Sequence, residues 1–225
     1  LVTPAVPKDL QEWEALRQRN LLIMKRSEAL GKISEQHFTL AIAGTHGKTT
    51  TTAMTAHILK TCGRNTTAFI GGIANNFDSN LLLGNGDDSI LVVEADEFDR
   101  SFLRLKPDIS VINSIDADHL DIYGDRQHLV KSFNEFAQLT EKQLIVKEGL
   151  EIEGEGILRF GFGDGNDYRA EILTSEGGVT DFVIIGEGNK TEIRLPMAGL
   201  HNVLNATAAF VAARQVGIAP NEIAL

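Results

Sequence analysis

Between Ala41 and Thr52 the chain reads Ala-Ile-Ala-Gly-Thr-His-Gly-Lys-Thr-Thr-Thr-Thr, directly after Phe38-Thr39-Leu40. This is chemistry for phosphate. A buried strand ending at Ala43, a turn through Gly44 and Gly47, and a helix starting near Lys48 present unpaired backbone N–H groups to anionic oxygens. The glycines let the backbone approach a ligand closely. Thr45, His46 and Thr50 complete the loop. Lys48 can reach the outer phosphates of a nucleotide, and the Thr49 hydroxyl can ligate Mg²⁺. The usual pattern G-x-x-x-x-G-K-[ST] places a glycine five positions before Gly47, and this chain has Ile42 there.

Three further runs carry polar groups suited to the same ligand. Leu91-Val92-Val93-Glu94-Ala95-Asp96-Glu97 is an apolar strand ending in acids. Glu94 reads either as a Mg²⁺ ligand at a strand's C-terminal end or as part of an ordinary solvated acidic loop. Ile115-Asp116-Ala117-Asp118-His119-Leu120-Asp121 sets a histidine among carboxylates. The imidazole of His119 suits a metal or the orienting of a nucleophile, although it is not a usual Mg²⁺ ligand. In Gly199-Leu200-His201-Asn202-Val203-Leu204-Asn205-Ala206, Asn202 and Asn205 share a helix face. Their amides match the edge of adenine; equally, Asn202 could cap the helix with Asn205 in solvent.

These groups need a frame of strands whose ends meet. Continuous apolar segments at Phe38–Ala43, Thr66–Ile70, Ile90–Glu94, Asp108–Ile115 and Gln143–Val146 read as strands. Helical patterns cover Lys48–Cys62, stopped by Gly63, and Arg126–Leu139. The alternation predicts an α/β fold, a mostly parallel phosphate-loop sheet flanked by helices. From Ile157 to Pro196 short β-like runs are separated by Gly163-Asp164-Gly165-Asn166, Gly177-Gly178 and Gly186-Glu187-Gly188-Asn189, which predicts a small inserted antiparallel subsheet. A helix over His201–Val216 follows, ended by Gly217. Before residue 37 the segments are short: a helix at Gln11–Gln18, a strand at Leu21–Met24 and a helical piece at Arg26–Leu30.

The chain has 225 residues, 43% of them hydrophobic, and a formal net charge of −10. That charge argues against sequence-independent nucleic-acid binding, which needs a basic surface. No apolar stretch approaches the roughly 20 residues needed to cross a bilayer. The single cysteine, Cys62, cannot form an internal disulfide, so a reduced cytoplasmic compartment is expected. The first residues lack a signal-peptide layout and an initiator Met, and the expected context is a longer chain. A GTP-binding reading of His46-Gly47-Lys48-Thr49 needs Asn-Lys-x-Asp, and Asn189-Lys190 is followed by Thr191-Glu192.

Taken together, Gly44-Thr45-His46-Gly47-Lys48-Thr49-Thr50, Glu94-Ala95-Asp96-Glu97, Asp118-His119-Leu120-Asp121 and His201-Asn202-Val203-Leu204-Asn205-Ala206-Thr207 resemble the Mur ligase family of peptidoglycan synthesis. The resemblance implies that residues 1–36 are the tail of a UDP-sugar domain with its linker. Residues 37–219 would then be the central ATP-binding domain, and 220–225 the start of a link to a C-terminal domain. It implies ATP and Mg²⁺ as cofactors, with Lys48 on the β/γ-phosphates, Thr49 and Glu94 at one Mg²⁺, and His119 at a second metal. His201, Asn202 and Asn205 would face adenine, and Thr45 and His46 would also touch the muramoyl side. The implied reaction joins L-alanine to UDP-N-acetylmuramate through an acyl phosphate. The alternatives are the muropeptide-recycling branch, which adds a tripeptide, and a non-catalytic ATP-binding module. Phe102-Leu103-Arg104-Leu105-Lys106-Pro107 looks more like the alanine-adding branch, and Gly71-Gly72-Ile73-Ala74-Asn75-Asn76-Phe77 somewhat like the recycling branch.

Overall fold

The computed structural model describes residues 11–19, 21–86, 88–116 and 125–223. Among these, one ten-stranded sheet runs through the molecule in the order β10-β9-β8-β7-β6-β5-β1-β4-β2-β3. Its strands are β1 (Thr39–Ala43), β2 (Thr66–Ala74), β3 (Ser79–Leu82), β4 (Ile90–Ala95), β5 (Ile109–Ile112), β6 (Gln143–Lys147), β7 (Leu158–Gly161), β8 (Tyr168–Glu176), β9 (Val179–Gly186) and β10 (Asn189–Leu195). The helices are α1 (Gln11–Gln18), α2 (Arg26–Ser34), α3 (Lys48–Thr61), α4 (Arg126–Ala137) and α5 (Leu200–Gln215), with a 3₁₀ segment at Phe98–Arg104.

The centre is parallel, as the apolar strand runs require. β1 pairs with both β4 and β5, aligning Ala43 with Ala95 on one side and with Ile112 on the other. β2 and β6 extend the parallel block outward. Both faces are covered. On one, α3 and α5 bury Ile58, Leu59, Val203 and Phe210 against Leu40, Ile42 and Ile145. On the other, α4 and the 3₁₀ segment close over Ala41, Val93 and Val146. There Phe102 stacks on Phe136 at 5.0 Å and meets Phe133 edge-on at 5.3 Å. Asp125 caps α4 by accepting the His128 N–H at 2.9 Å.

The expected antiparallel strands are β8, β9 and β10. They continue the main sheet, and β7 belongs to the parallel part, against β6. β8 starts beside the last two residues of β7, Phe160 opposite Tyr168 and Gly161 opposite Arg169, so their short link needs no return crossover.

Three local expectations change. Leu21–Met24 forms no strand: Leu21 and Leu22 are 52% and 82% exposed, and no strand pairs with them among the described residues. β2 runs past Ile70 to Ala74, across the glycine pair, because β3 pairs antiparallel with it around a register shift. β5 is confined to Ile109–Ile112, and the segment after it turns toward the loop that follows β1. α2 packs on the sheet domain: Ser34 Oγ accepts the Lys106 N–H at 3.0 Å.

Glu148 fixes the turn between β7 and β8. Its carboxylate accepts from Phe162 N–H at 2.7 Å, Gly163 N–H at 2.9 Å and Asn166 Nδ2 at 2.7 Å. Partial burial pushes its pKa up, but the donors from Phe162, Asn166 and Gly163 more than offset this and hold it below the usual glutamate value. A depressed folded pKa means stabilisation that is present above the unfolded value and lost as pH falls through the folded one. Urea unfolding of the wild type and Glu148→Gln should therefore differ most near pH 7, with the gap closing toward about pH 3. A gap unchanged across that range would show that the carboxylate charge plays no part.

Candidate functional site

β1 lies where the chain's direction across the sheet reverses: β4 and β2 stand on one side and β5 on the other. In open parallel sheets a ligand crevice forms beyond the strand ends at such a point. Three segments meet there: the loop after β1, the end of β4 and the residues after β5.

The loop starts later than the usual phosphate-loop pattern prescribes. Ile42 is fully buried inside β1, so the strand occupies the position where that pattern has glycine, and the turn begins at Gly44. Gly47 is the N-cap of α3 with φ of 81°, a left-handed conformation that favours glycine. A Cβ there would run into the side chain of Asn205. The first turn of α3 has neither a side-chain cap nor an acidic residue. Its N-terminal amides and dipole therefore favour an anion.

The segment after β5 holds this loop in shape. Ser114 Oγ accepts from the His46 N–H at 2.8 Å and lies 3.0 Å from Thr45 Oγ1. The Thr45 N–H donates to the Ser114 carbonyl at 3.1 Å, and Asp116 N–H donates to Thr45 Oγ1 at 3.0 Å. Thr45 is buried by these contacts, whereas the His46 ring is exposed, 3.8 Å from the exposed carboxylate of Asp116.

Lys48 points back across the loop. Its ammonium donates to the Gly44 carbonyl at 2.6 Å and to both oxygens of Glu97 at 2.9 and 2.8 Å. The Glu97 side chain is 1% exposed and that of Lys48 16%. Glu97 sits just before the 3₁₀ segment, close enough to the end of β4 to reach under the loop. Glu94, at the crevice edge, behaves differently. Its Oε2 accepts from Thr49 Oγ1 at 3.2 Å, and its Oε1 from the Gly71 N–H at 2.5 Å. A Cβ on Gly71 would lie 2.5 Å from Oε2, so a side chain there would displace the carboxylate from this position. Hydroxyl and carboxylate oxygens side by side form a hard donor set that fits Mg²⁺, which keeps waters in its remaining positions. No group of three or more His, Cys, Asp or Glu side chains forms a metal cluster among the described residues. His119 falls outside the described residues.

Beside the loop lies a cavity of about 430 Å³ whose walls include His46, Gly47, Thr50, Asn113, Lys147, Phe160, His201 and Asn205. Asn202 and Asn205 both face it and are buried, at 9% and 7% exposure, while His201 is exposed at the rim. The capping alternative for Asn202 does not hold. Gly199 is the N-cap, and the Asn202 amide nitrogen donates back to the Ala198 carbonyl at 2.7 Å. The structure thus gathers Gly44 through Thr50, Glu94 and the three α5 residues around one crevice. It adds Gly71, Glu97, Asn113, Ser114, Lys147 and Phe160. Only Glu97 stood in a run noted for chemistry, where nothing in its type separates it from the exposed Asp96.

The Mur ligase middle domain model matches residues 42–213. The chain is 45% identical over 225 residues to the UDP-N-acetylmuramate–L-alanine ligase of Christiangramia forsetii, covering 98% of this chain and 48% of that protein. It thus spans about half the length of the curated relatives it matches. The crystal structure of the UDP-N-acetylmuramate–alanine ligase of Thermotoga maritima superposes with a TM-score of 0.80 at 29% identity, covering 98% of this chain and 53% of that one. The UDP-N-acetylmuramate:L-alanyl-gamma-D-glutamyl-meso-diaminopimelate ligase of Neisseria superposes with a TM-score of 0.79 at 23% identity, covering 97% and 75%, a likeness of fold.

The Lys48–Glu97 pair is open to a direct test. Removing one partner of a buried ion pair strands the other, whereas apolar replacement of both is tolerated far better. Glu97→Leu should lower urea-unfolding stability by about 3 kcal/mol, and Lys48→Met with Glu97→Leu should recover most of that loss. A double variant as unstable as the single one would assign the cost to packing.

Proposed function

Because the chain belongs to the Mur ligase family, we propose that it is the ATP-binding portion of a ligase that joins L-alanine to UDP-N-acetylmuramate. In this reading residues 1–36 end a UDP-sugar domain, 37–219 form the central domain and 220–225 begin the link onward. The observation that carries it is the meeting of Lys48, Thr49 and Glu94 at one strand-end crevice, next to a cavity walled by the α5 amides. The 45% identity to an alanine-adding relative supports the choice of amino acid.

A carboxylate is a poor electrophile, and its activation defines the chemistry. A muramoyl carboxylate oxygen attacks the γ-phosphorus of ATP and ADP leaves. The alanine amine then attacks the acyl carbon of the mixed anhydride, and phosphate departs with the amide formed. Such a reaction is dominated by positioning and charge neutralisation. Lys48 supplies a cation at the outer phosphates, and the amides of the Gly44–Thr50 loop supply fixed donors. Thr49 and Glu94 would hold Mg²⁺, which when bound neutralises phosphate charge. His201, Asn202 and Asn205 face the base. Thr45 and His46, whose backbone is tied to Ser114, would also touch the muramoyl side. His119 is assigned to a second metal by family analogy alone.

Calorimetry with Mg-ATP should show at least a tenfold loss of affinity in Lys48→Ala, about 1.4 kcal/mol or more. A full-length parent should release ADP only when UDP-N-acetylmuramate and L-alanine are both present. Turnover without the sugar nucleotide would sink the ligase assignment, and preference for a tripeptide over alanine would move it to the recycling branch.

A further inference from the structure

β2 loses its regular pairing where it reaches the crevice. Its parallel ladder with β4 runs from Thr66 opposite Ile90 to Phe69 opposite Val93 and stops there. Its antiparallel ladder with β3 shifts register between Phe69 and Ala74. Gly71 and Gly72 lie in that interval. An irregularity of this kind frees backbone groups from the ladder and re-aims what stands beside it. Here the Gly71 N–H donates to Glu94 Oε1 at 2.5 Å, while Glu94 Oε2 accepts from Thr49 Oγ1 at 3.2 Å. Gly71 is not among the glycines with positive φ, so its φ does not call for glycine. The three atoms nearest to an added Cβ all belong to Glu94: Oε2 at 2.5 Å, with Cδ and Oε1 at 2.8 Å. A Cβ on Gly72 would meet only Thr49 Cγ2, at an ordinary 3.6 Å. The side chain missing at Gly71 makes room for one carboxylate, and the N–H there fixes how that carboxylate is turned.

We propose that Gly71 is a positioning residue for the cation site, setting the affinity for Mg²⁺ through Glu94. The inference rests on the reading that gives Thr49 and Glu94 to Mg²⁺. A glutamate has a flexible stem and can present its oxygens in many directions. Held at Oε1, Glu94 keeps Oε2 beside the Thr49 oxygen as a prepared pair of hard donors. Groups that hydrogen-bond to a ligating carboxylate govern metal affinity by roughly ten- to a hundredfold. The irregular stretch of β2 thereby links the edge of the sheet to the metal, although Gly71 itself offers the ion no ligand.

Gly71→Ala is the test. It changes no charge, and the group it displaces is the free end of a side chain, so the fold is kept. Calorimetry on the 225-residue chain measures ATP affinity with excess Mg²⁺ and again with the metal chelated. Mg²⁺ should tighten ATP binding by the wild type about tenfold or more. Gly71→Ala should bind ATP about tenfold more weakly than the wild type when Mg²⁺ is present, yet stay within about twofold of it when the metal is chelated. Gly72→Ala, the matched control, should stay within about twofold of the wild type in both conditions. The Mg²⁺-dependent gain is the decisive readout, because damage to the loop or to the fold weakens binding with and without the metal alike. A gain in Gly71→Ala equal to that of the wild type, equal losses in both conditions, or the same loss in Gly72→Ala overturns the assignment. A wild-type chain that binds no ATP removes the nucleotide reading and this one with it. One that binds ATP without a Mg²⁺ gain removes the metal role of Thr49 and Glu94 and this one with it. A wild-type gain that Gly71→Ala preserves removes this one alone.

Discussion

The site depends on β1 lying between β4 and β5. A parallel sheet brings the C-terminal ends of its strands to one edge, and the reversal of chain direction at β1 opens that edge into a crevice. The register then sets the depth of each group. Ala43 is level with Ala95 and Ile112, so the loop after β1 emerges beside Asp96 and Asn113 at the same height. Glu94, one residue inside its strand, reaches up beside Thr49, while Glu97, beyond its strand, turns back under the loop. Two acids three residues apart in sequence thereby acquire opposite settings, one at the crevice mouth and one sealed beneath it.

The sheet also explains what holds the loop in shape. A phosphate loop is a run of backbone donors aimed outward, and it has little internal bonding of its own. Here the segment after β5 supplies the restraint through Ser114, whose hydroxyl and carbonyl both bind the Thr45–His46 stretch. Asn113, next to it, ties the same segment to α3 through Thr51. Loop, helix and neighbouring strand end are therefore one hydrogen-bonded unit. Preorganised donors of this kind need no rearrangement when charge arrives, which makes them effective in a water-poor crevice.

The frame was legible in the sequence because it is written in apolar runs and glycines. Five of the strands, and α3, α4 and α5, lie where the hydrophobic pattern puts them, within a few residues. Ile42, the departure from the standard loop pattern, is a buried strand residue, which is why the loop is short. What pattern could not supply was pairing. Leu21-Leu22-Ile23-Met24 has strand composition and no partner strand among the described residues, whereas Ser79–Leu82 has a polar start and becomes a strand because β2 lies beside it. The same limit applies to the site. Lys48 and Thr49 belong to a motif with a local spacing, and Glu94 stands at the end of an apolar strand run. Asn113, Lys147 and Phe160 line the site through neighbours far away in sequence, and nothing local marks them; Glu97 stands in a marked run that does not tell it apart from Asp96.

In the proposed reading, stability and ligand binding share the charge of Lys48. An ammonium has three donors, and here they meet the Gly44 carbonyl and the two Glu97 oxygens. A nucleotide cannot take Lys48 away from Glu97 entirely, because a carboxylate with a side chain 1% exposed would be left in a poorly solvating interior. It need not do so. Glu97 accepts through two oxygens, so one donor can pass to a phosphate oxygen while the other keeps the ion pair intact. In the proposed reading the lysine is shared between its buried partner and the phosphate, and Glu97 sets both its position and the reach it has left. A longer tether or a free ammonium would approach phosphate more easily but arrive in many orientations. The buried carboxylate restricts it to one, which is what positioning a phosphoryl group requires.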